Sequence, residues 1–217
     1  GDANGVLAIG CFEESGKFKK TVEKPAVQGP IAEIRFTKEQ DKVIAVGGAT
    51  STTANVKRAF AWDLGKNKAW GDINAAQKST LLTCDLKQSE PECILTAGED
   101  LEVHSYKTAP PAHVKSFKGL AGGFINRLAL TPWDGGEHYV VVSADKSISL
   151  VNTTSGDVVA KQDGAHKMGI IDVCFSEEWE FFTSSSDATI KQWKIDLAGK
   201  AISLVKTLSL TEADNDV

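Results

Sequence analysis

The sequence predicts an all-β protein made of repeated four-stranded antiparallel sheets set side by side as a β-propeller, and two observations carry that expectation. A short segment recurs: Gly98-Glu99-Asp100 to Tyr106 reappears as Ser143-Ala144-Asp145 to Val151 and again as Ser185-Ser186-Asp187 to Trp193. Each time an apolar run ends in a small residue and an Asp, a large apolar residue follows six positions later, and the interval is roughly 40–45 residues, the length of a propeller blade. Between these anchors, apolar residues alternate in short runs bounded by Gly, Pro, Asn and Asp, the pattern of half-buried strands joined by tight turns.

In chain order, residues 1–28 form a partial unit, with Gly1-Asp2 as an inner turn and strands at Val6 to Cys11 and Phe18 to Glu23. Residues 29–75 carry strands at Ile31 to Phe36, Val43 to Gly47, Lys57 to Trp62 and Trp70 to Ile73, with the longer polar loop Ala49 to Asn55 where the inner turn belongs. Residues 76–118 carry Leu81 to Leu86, Cys93 to Ala97, Glu102 to Tyr106 and His113 to Phe117. In 119–163 the strands are Asn126 to Leu130, Tyr139 to Ser143, Ser147 to Val151 and Val158 to Lys161, and Thr131-Pro132-Trp133-Asp134-Gly135 is hairpin punctuation. Residues 164–210 read as Ile170 to Phe175, Phe181 to Ser184, Thr189 to Ile195 and Ile202 to Leu208. That is about four and a half blades. Such an arc has open edges, so closure, usually with seven blades, is expected from further sequence or a partner chain. A first residue other than Met, lying inside a repeat, points the same way.

Composition narrows the function classes. With 41% hydrophobic residues and a net charge of −5, the chain has ample material for a core and lacks the basic excess of a nucleic-acid binder. It has no apolar run of about 18 residues, and Gly1-Asp2-Ala3-Asn4 does not open a signal peptide. Cys11, Cys84, Cys93 and Cys174 are scattered; the apolar strand patterns around Cys84 and Cys174 predict buried, reduced thiols. Neither the cysteines nor the four His show metal-site spacing, so no metal or other cofactor is expected.

The last unit places His166 before the first strand, Thr183 on the second, Asp187 in the inner turn and Trp193 on the third. In WD40 blades, which this unit resembles, such residues form a hydrogen-bonded structural tetrad that satisfies buried polar groups and pins two loops. A His beside an Asp and a Thr also suits a hydrolase, but no nucleophile or oxyanion arrangement accompanies them. The other units are eroded. Val141 and Val151 replace the hydroxyl and the aromatic in one; the unit before it keeps Thr96, Asp100 and Tyr106 but has Gln77 at the His position. The Gly122-Gly123 doublet lacks the Lys and helix of a phosphate loop. Asn152-Thr153-Thr154 matches a glycosylation sequon and is expected to be inert.

A set of irregular features resembles actin-interacting protein one, a WD40 family of double propellers that act with cofilin. These are Gly29-Pro30-Ile31-Ala32-Glu33-Ile34; Ile44-Ala45-Val46-Gly47-Gly48, the long loop and Phe60-Ala61-Trp62-Asp63; Asp85-Leu86-Lys87-Gln88-Ser89-Glu90-Pro91; the pair Pro110-Pro111; and Gly156. The resemblance spans essentially the whole chain, as part of a first propeller. It implies non-enzymatic binding to actin filaments and cofilin/ADF, filament disassembly, severing and end capping, and a place in the cytoplasm on the actin cytoskeleton. Carried over by position, it implies partner contacts at Ala54 and Asn55, at Glu99 beside Asp100, at His113 and Val114, and at Phe124. For Phe124 a core role and a contact role are both open. Unrelated to actin, a general WD40 scaffold, such as a vesicle-coat or signalling adaptor, is the alternative.

Overall fold

The computed structural model describes residues 2–48, 56–74 and 78–210. Among them are eighteen strands and no helix. A two-stranded sheet of β1 (Val6–Phe12) and β2 (Phe18–Pro25) comes first. The second sheet is β3 (Ile31–Phe36), β4 (Lys42–Gly47), β5 (Ala59–Asp63) and β6 (Lys68–Gly71). The third is β7 (Leu81–Lys87), β8 (Cys93–Gly98), β9 (Val103–Thr108) and β10 (Pro111–Phe117). The fourth is β11 (Ile125–Leu130), β12 (His138–Ser143), β13 (Ile148–Asn152) and β14 (Val158–Gln162). The fifth is β15 (Ile170–Phe175), β16 (Glu180–Ser185), β17 (Thr189–Asp196) and β18 (Ala201–Ser209). Strands are hydrogen-bonded in sequence order and every pairing is antiparallel. This is an arc of a WD40 propeller.

The alternation of side chains explains how the sheets stack. In β4, Val43 and Ala45 face the first sheet with Leu7 and Phe60, while Ile44 and Val46 face the third with Leu81 and Ile94. In β12, Tyr139 and Val141 join Leu95 and Val103, whereas Val140 and Val142 join Ile170 and Phe181. A second strand covered on both faces must be apolar at consecutive positions, because period 2 sends successive residues into different interfaces. β16, in the last sheet, has one face without a neighbour among the described residues and returns to strict alternation of buried and half-buried positions. The same open face corrects the expectation for Cys174. It is exposed, as are Ile171, Leu204 and Val205, whereas Cys84 is buried.

The recurring Asp has a local physical purpose. Asp100, Asp145 and Asp187 each accept a hydrogen bond from the backbone N–H two residues on, at 3.3, 2.9 and 3.0 Å. The intervening residues Leu101, Lys146 and Ala188 have φ of 64°, 75° and 60°. A side-chain carboxylate that mimics the turn's backbone acceptor stabilises this left-handed conformation, which an L residue otherwise adopts at a cost. Asp2 likewise caps the turn of the first sheet, accepting from the N–H groups of Asn4 and Val6 around the left-handed Gly5.

Gly156 shows how the outer turns lock neighbouring sheets. It has φ 80°, and a Cβ there would lie 1.9 Å from Cδ1 of Phe117 in the third sheet. Gly156→Ala is therefore expected to lower stability by about 2–4 kcal/mol, through left-handed strain and displacement of Phe117, as read by urea denaturation. A loss below about 0.5 kcal/mol would show that the turn re-forms freely.

Candidate functional site

The first strands β3, β7, β11 and β15 pack side by side around the centre of the arc, and each pairs with its second strand through a register shift at the same place. The shift falls between Ile31 and Glu33, Leu81 and Thr83, Ile125 and Arg127, and Ile170 and Asp172. Such bulges re-aim side chains. Here Glu33 is buried, accepts from the Thr83 hydroxyl at 2.7 Å and the Cys84 N–H at 2.9 Å, and pairs with the guanidinium groups of Arg35 and Arg127. Arg127 also pairs with Asp172 at 3.0 Å, and Arg35 with Asp85 at 3.5 Å. Burial pushes the Glu33 carboxyl above its ordinary value, opposed by these hydrogen bonds and by the two cations. The sequence signal was a polar residue at the third position of each first strand, which alternation alone did not single out.

At the end of the sheets where the first strands begin lie the inner turns. In the last sheet, His166 Nε2 is 2.7 Å from Thr183 Oγ1, and the Trp193 indole N–H donates to the same oxygen at 2.8 Å. His166 Nδ1 lies 3.2 Å from the Asp187 carboxylate, which also accepts from the Thr189 hydroxyl and the Lys167 N–H. An ionised carboxylate only accepts, so Nδ1–H donates to Asp187 and Nε2 accepts from Thr183. Burial pulls the imidazole below its ordinary value and keeps it neutral, although Asp187 opposes this. Burial also acts to raise Asp187, but the hydrogen bonds from Thr189 and Lys167 hold it well below the usual carboxylate range.

The third sheet, whose inherited His position falls on Gln77 outside the described residues, has a different solution. The His104 Nε2–H group donates to Asp100 at 2.8 Å, His104 Nδ1 is 2.8 Å from Ser116 Oγ, and Ser116 Oγ is 3.0 Å from His113 Nε2. This chain connects the inner turn to the outer strand. Sequence reasoning missed His104 and Ser116; an imidazole four residues beyond the turn Asp was the available signal. An Asp–His–Ser order invites comparison with an acyl-transfer triad, yet His104 is 1% exposed and the Ser116 hydroxyl is engaged by two imidazoles.

The expected contact residues fall into two places. Glu99 sits half-buried in the β8–β9 turn, its N–H bonded to Thr80 O at 3.0 Å. Phe124 precedes β11 at the same end of the sheets, 49% exposed and with its carbonyl held by the Ala144 N–H at 2.9 Å. The core role for Phe124 is thereby removed. Gly122 and Gly123 belong to this support: the Gly122 N–H donates to Asp145, and a Cβ on Gly123 would lie 2.9 Å from Asp145 N. His113 and Val114 are exposed on β10, where the pairing with β9 shifts register between His113 and Lys115. They lie on the outer rim, apart from the turn surface that carries Glu99 and Phe124. Ala54 and Asn55 lie outside the described residues. Among the described residues, no group of three or more His, Cys, Asp or Glu side chains is placed to hold a metal ion.

No family model matches the chain. It is 27% identical over 176 residues to actin-interacting protein 1-2 of Arabidopsis thaliana, and 26% identical over 173 residues to a 66 kDa stress protein of Physarum polycephalum. Each match covers 78% of this chain and 27% of the relative, so the chain spans about a quarter of the length of these curated relatives. With the Asp-anchored sheets and the irregular motifs already described, the chain is a WD40 propeller arc that resembles actin-interacting protein 1 over most of its length.

Proposed function

We propose that this chain is part of a non-enzymatic, actin-filament-binding WD40 scaffold that works with cofilin/ADF to promote filament disassembly, severing and end capping in the cytoplasm. The observation that carries the reading is the similarity to actin-interacting protein 1-2 across 78% of the chain. The surface supports it physically. Phe124 presents an aromatic on a fixed backbone, so little conformational entropy is lost on docking, and Glu99 offers a carboxylate at the same end of the sheets for a basic partner patch. Ala54 and Asn55 belong to the same proposed contact set through the loop that carries them. His113 and Val114 extend it to the rim. The reading requires no cofactor.

The test is co-sedimentation of the full-length protein with filamentous actin, with and without cofilin. Cofilin-dependent pelleting is expected, and Phe124→Ala should weaken it about fivefold or more while leaving the melting temperature unchanged. Pelleting that ignores cofilin, or none at all, would instead favour a general WD40 scaffold.

A further inference from the structure

Lys87, the last residue of β7, is only 5% exposed, and the little it exposes includes the ammonium, which among the described residues makes no hydrogen bond or ion pair. Its stem packs against the fourth sheet, where a Cβ on Gly136 would come within 3.1 Å of Lys87 Cγ. The adjacent carboxylate, Asp85, is committed: it accepts from the Leu86 and Leu130 N–H groups and pairs with Arg35. A lysine whose stem is packed while its ammonium stays open and unpaired loses little conformational freedom when an anion docks on it.

Lys87 lines a cleft of about 220 Å³ between the outer strands of the third sheet and the β13–β14 turn of the fourth. Lys107 and Lys115 add positive charge to its lining, and Lys115 is held in place by the Ser155 carbonyl at 2.7 Å. Glu92, the acid on the rim, accepts from the Thr108 hydroxyl at 2.9 Å. Apolar surface completes the cleft through Phe117 and Val114, the latter 62% exposed. The volume is below the roughly 300–1,000 Å³ of a small-molecule or cofactor pocket and suits one or two side chains.

We propose that this cleft binds an acidic peptide segment of a partner protein, one carboxylate pairing with Lys87 while a neighbouring apolar side chain rests on Val114 and Phe117. The charge complementarity is specific: an ammonium held in place by its packed stem reads one carboxylate, and the apolar rim reads what lies next to it. This inference goes beyond the actin reading, and its test contains no actin, so either can fail alone.

The experiment measures fluorescence anisotropy of labelled peptides alternating Asp or Glu with Leu against the full-length protein. The same peptides with Asn and Gln, and inorganic phosphate and acetate as competitors, serve as comparisons. Saturable binding of the acidic peptide is expected, weakened at least tenfold both by Lys87→Met and by the amide peptide, with Lys38→Met without effect. Lys87→Met keeps the stem and should melt no lower than the parent; Lys87→Gln repeats the measurement if it does not fold. Equal binding by the amide peptide or by both Lys87 variants would overturn the proposal. So would no binding at millimolar peptide, or a Lys87-dependent thermal shift with phosphate but no peptide binding, which would mark a free-anion site.

Discussion

Replacing Arg127 with Met is expected to lower the unfolding free energy by about 2–4 kcal/mol, because it strips a cation from Glu33 while leaving the carboxylate buried. Removing one partner of a buried pair typically costs about 3–5 kcal/mol; the loss is smaller here because Arg35, Thr83 and the Cys84 N–H remain on Glu33. The deficit should depend on pH. The Glu33 carboxyl is raised above its ordinary 4.5, so the folded state holds its proton to higher pH than the unfolded chain does. That contribution is complete below 4.5 and is lost as pH rises through the raised value. Without Arg127 the ionised form is costlier still, so the variant's deficit should be larger at neutral pH than near pH 4.5. Urea denaturation at the two pH values reads this. The double variant Glu33→Met with Arg127→Met should recover much of the loss, since it also removes the buried carboxylate that the single variant leaves short of a cation. A single-variant loss below about 0.5 kcal/mol would mean that the central charges are solvated rather than coupled.

His166→Ala is expected to cost about 2–3 kcal/mol, because Thr183, Trp193 and Asp187 all lose a buried partner or its alignment. For a chain of this size the melting temperature should fall by roughly 4–12 °C. Because burial lowers the imidazole below 6.5, the unfolded chain takes up the proton first as pH falls. Stability from this group is therefore full above 6.5 and is lost as pH drops through the lowered folded value. Asp187 acts lower down: its contribution is present above 3.8 and fades only in stronger acid. His166→Gln should flatten the first of these slopes and keep the second. An unchanged acid profile would show that His166 is not held neutral by its site. On the proposed function, cofilin-dependent pelleting by the folded variant stays at the parent level.

The fold was readable in the sequence because its signals are local. Period-2 alternation set the strands, and the turn Asp marked the third strand of three sheets, since a carboxylate two residues before a backbone N–H stabilises a left-handed turn wherever it occurs. The positions that form the hydrogen-bonded set at His166 were also visible, through the resemblance of this unit to WD40 blades. By contrast, His104 and Cys174 were misjudged or missed. Whether a strand residue is covered depends on a neighbouring sheet far along the chain, and Cys174 faces the side that none of the described sheets covers.

What the sequence alone determined, then, is the repeat: strands, turns and the residues that cap those turns, all fixed by interactions within a few positions or within one sheet. Only the tertiary structure decided which polar side chains meet across sheets. Glu33 and Arg127 lie on first strands of different sheets and become partners because matching bulges aim both at the centre. Lys87 reads in sequence as an ordinary polar strand end, and it is buried because Gly136 of the next sheet lets that sheet close over its stem. Phe124 is exposed because its backbone is tied to Ala144 rather than its ring to a core. Contacts of this kind depend on how sheets are stacked, and local periodicity carries no record of the stacking.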